Sequence, residues 1–245
     1  MTSTLLIAST ELDRRTRVIV GAAGLIAIAL IVVTISQSTT PDVTVPGAAK
    51  EVASWLSDSS TGSGARIGLA ASAISYLPMI IFMGGLCRVV AEWARSPLWK
   101  TVAVVAAALF LAGAVGGDAM AMSVPLVVGS NTDIHISAEI VAFADRAWLI
   151  SYVEAHVALA TLAAITTIAG WIARRRGATV PLVVLLLGAL GALAVIPLVL
   201  FPTTFAVFLV SNQLRLLWLV VTAVWLILRR SSLTAVVAES ALTEP

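Results

Sequence analysis

The stretch SYVEAHVALATLAAITTIAGWIARRR, residues 151–176, decides the fold. Apart from Glu154 and His156 it is made of apolar, small or hydroxyl-bearing residues until three arginines stop it. A helix of about 20 such residues crosses the ~30 Å hydrocarbon core of a bilayer, so the stretch reads as a membrane-spanning helix with a basic terminus. Glu154 and His156 are then costly where they sit, since an ionisable side chain at mid-membrane costs ~2.5–3.5 kcal/mol even on the lenient insertion scale.

Composition carries that reading to the whole chain. Of its 245 residues 60% are apolar and 11% charged, with a mean hydropathy of +1.04, whereas soluble domains carry roughly 25% charged residues. Six spans follow, at about 18–36, 67–91, 101–122, 147–173, 179–200 and 204–228. The expectation is an all-α polytopic membrane helix bundle with six transmembrane helices. The first apolar run follows Arg14, Arg15 and Arg17, but it exceeds the 7–15 residues of a signal peptide and no A-x-A site follows, so it reads as a retained helix.

Eleven of the fifteen basic residues fall on one side of this layout: Arg14, Arg15, Arg17, Arg88, Arg95, Lys100, Arg174, Arg175, Arg176, Arg229 and Arg230. The positive-inside rule makes that side, and both termini, cytoplasmic. Residues 1–17 form a cytoplasmic amino-terminal segment, 18–228 the six-helix domain and 229–245 a cytoplasmic tail. Basic residues clustered at span ends signal orientation rather than phosphate binding, so no nucleic-acid partner is expected despite a pI near 9.1. The single cysteine, Cys87, excludes an intrachain disulfide and a cysteine metal cage, and reads as an apolar filler.

Two outer loops are expected, at 37–66 and 123–146. Within the first, AAKEVASWLSD places Ala48, Val52, Trp55 and Leu56 on one stripe, predicting a short amphipathic helix at the membrane surface with Trp55 at the headgroups. In the second, Asp133, His135 and Glu139 match no metal-site spacing, and a solvated turn leads into a helix starting near Ser137. SPLW (96–99), RRRGATVP (174–181) and FPTT (201–204) are tight turns. Spans two and three, four and five, and five and six should therefore be antiparallel neighbours. The small-residue pairs Gly113/Gly117 and Gly188/Ala192 allow close helix approach.

The candidate binding or proton-relay residues are Asp118, Tyr152, Glu154, His156, Asn212 and Arg215. Residues two apart on a helix project about 200° from each other, so Glu154 and His156 occupy different faces. Glu154 lies on the stripe Ala147, Ser151, Glu154, Ala158, Thr161, whose small polar character predicts an interior face. His156 lies on the stripe Asp145, Leu149, Tyr152, His156, Leu159. With both faces enclosed, span four should be central. Span six carries the most polar stripe, Ser211, Asn212, Arg215, Trp218, Thr222, and its buried Arg215 is expected to pair with Glu154 first and Asp118 second.

No H-E-x-x-H, G-x-S-x-G, glycine-rich nucleotide loop or paired membrane aspartates are present, and no cofactor or metal is expected. Two readings of different class remain, a binding or transport protein for a small solute or lipid, and a non-catalytic scaffold or accessory subunit engaging a membrane protein partner. An intramembrane enzyme using Asp118, Glu154 and His156 ranks behind both. The outer-loop helix (AAKEVASWL), the basic turn with proline before span five (RRRGATVP) and the closing WLILRR together resemble an uncharacterised bacterial family of six-helix membrane proteins, the DUF4386 type. The resemblance implies a bacterial cytoplasmic membrane and supplies no activity. The excess of Arg over Lys, thirteen to two, with abundant Ala and Val, fits a GC-rich bacterial source.

Overall fold

A computed structural model describes residues 12–37, 48–128, 136–202 and 205–229. Most of the amino-terminal segment and of the tail, with Asp133 and His135, lies outside them. Eight helices are described: α1 (Arg14–Gln37), α2 (Ala48–Ser57), α3 (Ser59–Ala94), α4 (Pro97–Val128), α5 (Ala138–Arg175), α6 (Leu182–Leu193), α7 (Val195–Leu200) and α8 (Phe205–Leu228). Six stretches are long and apolar enough to cross a membrane, with α6 and α7 together forming the fifth.

Three spans are longer than the sequence suggests. The helices α3, α4 and α5 have 36, 32 and 38 residues, against the ~20 a bilayer requires. The extensions of α4 and α5 hold α2: Val124 of α4 and Val141 of α5 enclose Val52 of α2, with Trp55, Ile136, Ala138 and Ala144 packed around them. Val52 and Trp55 of α2 are therefore turned onto protein. Val52 is 2% exposed, and Trp55 is partly buried and lines the cavity described below. Asp58 starts α3 by accepting the Ser60 backbone N–H at 2.8 Å, and that bond holds its carboxyl below the usual carboxylate range. Ser137 stands at the N-cap of α5, where the sequence places the helix start.

The helices form a closed ring in the order α1, α3, α4, α5, α6, α8 and back to α1, and α5 also touches α3. The three expected neighbour pairs, α3 with α4, α5 with α6 and α6 with α8, are all in contact. In α5, 61% of the most apolar window is buried, against 22–39% in the other spans, which makes α5 the central helix. Close approach depends on glycine at α1: a Cβ on Gly24 would meet the fully buried Phe82 ring at 2.7 Å.

The basic helix ends gather at one end of the bundle. Arg229 donates to Glu92 at 3.0 Å and lies over the Trp225 ring, while Arg176 donates to the Trp93 carbonyl. There α3 ends at Arg95, held in the left-handed region with φ 51°, and α4 begins two residues later at Pro97.

The fifth span is broken at Ala194, three residues before Pro197. Proline lacks the N–H for an i→i−4 bond, and its ring crowds the carbonyl of Leu193. Two carbonyls near the break take side chains of α8: Ser211 Oγ donates to Ala194 O at 2.7 Å, and Arg215 Nε donates to Gly191 O at 3.3 Å.

Candidate functional site

A cavity of about 520 Å³ lies inside the ring between α1, α3, α4, α5 and α8. It follows α5 from Val141 to Leu159, eighteen residues or ~27 Å at 1.5 Å per residue. At the end where α5 begins it is framed by Trp55, Asp145, Arg146 and Pro202, and its inner end is closed by Met79, Phe110 and Leu219. The whole His156 stripe of α5, Asp145, Leu149, Tyr152, His156 and Leu159, forms one wall.

The structure brings five of the six candidates to this cavity: Asp118, Tyr152, His156, Asn212 and Arg215. Glu154 is not among them. It is exposed in a separate groove on the flank of the bundle between α4 and α5, with Ser151, Ala158 and Thr161 of its own stripe. The expected Glu154–Arg215 pair is therefore absent, because the 200° between Glu154 and His156 turns the two side chains to opposite sides of α5 and only the His156 side meets α8. The small stripe that looked interior faces this lateral groove.

Arg215 is 1% exposed. Its Nε is bound to Gly191 O, and both terminal nitrogens are buried without a hydrogen-bond partner. The second expected partner, Asp118, is engaged elsewhere. The Ser72 and Tyr76 hydroxyls both reach its Oδ2, Tyr76 at 2.6 Å. Ser72 and Tyr76 were not singled out in the sequence, although their i, i+4 spacing in an apolar helix is the signal that could have found them.

Beside Arg215 an aromatic cluster joins α5 to α8. Tyr152 stacks on His156 with centroids 3.7 Å apart and meets Phe208 at 4.6 Å, and Trp148 lies 5.4 Å from Tyr152 and 5.7 Å from Phe208. His156 Nδ1 lies 2.7 Å from the Tyr152 carbonyl oxygen, and the Asn212 side chain is a further polar neighbour. The Tyr152 hydroxyl is buried without a partner. Arg215 and Tyr152 both line the cavity, and two guanidinium nitrogens and the phenol oxygen are buried there without a partner. Among the described residues no three His, Cys, Asp or Glu side chains are grouped to hold a metal ion.

The fold defines a multi-pass membrane protein with a largely apolar cavity, carrying a few polar side chains, inside its helix bundle. Comparison of the chain with protein-family profiles, with curated proteins and with solved structures finds no match.

Proposed function

We propose that this protein binds a small solute or lipid-like molecule inside its bundle, as a binding or transport protein of a bacterial cytoplasmic membrane. The observation that carries the reading is Arg215, buried with two nitrogens unsatisfied on the wall of a 520 Å³ cavity. Buried polar groups are as a rule hydrogen-bonded, and an orphaned one in a cavity marks a place for a ligand's own polar group. The volume falls within the ~300–1,000 Å³ of small-molecule sites, which are mostly apolar with a few placed polar groups.

Thiol access tests this. In a Cys87→Ala background, Ala114→Cys and Leu149→Cys on the cavity wall react with small thiol reagents, while Ala163→Cys, fully buried in packed core, does not. If the thiols at 114 and 149 are as inert as the one at 163 toward both a charged and a membrane-permeant reagent, the reading fails.

Glu154 supports a second reading, that of an accessory subunit. A carboxyl exposed on the bundle flank, in a groove of small residues, suits a membrane helix of another protein. Glu154→Ala would then release a co-purifying partner and leave cavity labelling unchanged.

A further inference from the structure

We infer that the cavity receives the carboxylate of an amphiphilic acid, its head on Arg215 and its carbon chain along the apolar length of the cavity. This rests on the binding reading above and names the ligand class. The guanidinium uses Nε on Gly191 O, and Nη1 and Nη2 stay buried without a partner. Two parallel N–H donors on one edge match the two oxygens of a carboxylate. The Tyr152 hydroxyl, also without a partner, supplies a further donor on the same wall.

Charge separates a carboxylate from a phosphate. A single guanidinium reaches the inner end of the cavity; the other lining cation, Arg146, is at the opposite end beside Asp145. A dianion would meet one buried positive charge there and share the cavity with two acidic side chains, Asp118 and Asp145. A monoanion leaves the inner site neutral, which a low-dielectric interior favours. The body of the ligand follows from the remaining walls, where Trp148, Tyr152 and Phe208 on one side and Ile31, Ile35 and Ala114 on the other offer apolar contact.

The test uses the full-length protein in nanodiscs of uncharged phospholipid, with titration calorimetry corrected for empty discs. Decanoate is expected to bind saturably, and more tightly than decanol, decyltrimethylammonium, decyl phosphate, acetate or chloride. Arg215→Gln should weaken decanoate about tenfold or more, the loss of a charge-assisted pair. Tyr152→Phe should weaken it severalfold, and Glu154→Gln should leave it unchanged. Should Arg215→Gln fail to fold, Tyr152→Phe and the ligand series decide the matter. Decanol binding as well as decanoate overturns the carboxylate but leaves the cavity a binding site. Tighter decyl phosphate or decyltrimethylammonium overturns the charge argument, and acetate or chloride equal to decanoate overturns the amphiphile. Absence of binding by every probe overturns the inference outright, whereas the binding reading itself falls only with inert thiols at 114 and 149.

Discussion

The imidazole of His156 stacks on the ring of Tyr152, one helical turn earlier, with centroids 3.7 Å apart, and its Nδ1 lies 2.7 Å from the Tyr152 carbonyl oxygen. A carbonyl only accepts, so Nδ1 carries a proton and the ring orientation is fixed from two directions. His156→Phe keeps the stack and loses the bond, and should cost ~1 kcal/mol or less. His156→Ala loses both, and the aromatic contact adds ~0.5–1.5 kcal/mol. Thermal melts of the two variants check the order, and an alanine variant as stable as the phenylalanine one would show that the stack contributes nothing.

Arg215 holds two buried donors without a partner. A buried donor without a partner costs ~1–3 kcal/mol, so Arg215→Met, of similar length and apolar, should raise the melting temperature of the ligand-free protein. Glu154→Ala, at an exposed position, should change stability by no more than ~0.5 kcal/mol. The double variant should equal the sum of the two within ~0.5 kcal/mol, as for groups that do not touch. Non-additivity beyond that would restore the pairing between them.

Asp118, Tyr76 and Ser72 form one hydrogen-bonded unit across α3 and α4. Tyr76→Phe should cost ~1–3 kcal/mol in the native background and much less where Asp118 is already leucine. A cycle on unfolding in mixed micelles measures the coupling. Equal losses in both backgrounds would mean that the 2.6 Å contact carries no energy.

Orientation is open to reporters. The helix ends gathered by Glu92–Arg229 and Arg176 carry most of the basic side chains, and that end is expected to face the cytoplasm. Fusions after Pro97 and Arg176 should read cytoplasmic and fusions near Gly62 and Asn131 external. Reversal of both pairs would invert the bundle.

Reading the sequence found the spans because hydropathy is a property of each segment alone. It also separated the two faces of α5 correctly, since a helix fixes the angle between Glu154 and His156 whatever surrounds it. Which face meets which helix is another matter. The stripe of Glu154 is small and polar, as an interior face is, yet it lines a groove on the flank, while the bulkier stripe of His156 and Tyr152 lines the cavity. Helix partners depend on the ring order, and that order is set by contacts distant in sequence. The inward turn of α2 was hidden for the same reason, since an amphipathic helix finds protein or lipid equally apolar. The break at Ala194 had a local sign in Pro197, but its use did not: the carbonyls that accept Ser211 and Arg215 belong to a helix earlier in the chain.

Because α1 lies against α8 as well as α3, the ring is a circle whose first and last members are neighbours. During synthesis α1 is made well before α8, and the flank it turns to α8 stays bare until α8 emerges. Until then Gly21, which packs against Ala223 and Ile227, has nothing to meet, and the wall that carries Arg215 does not exist. A chain that stops short of α8 therefore lacks this cavity and keeps an exposed seam along α1.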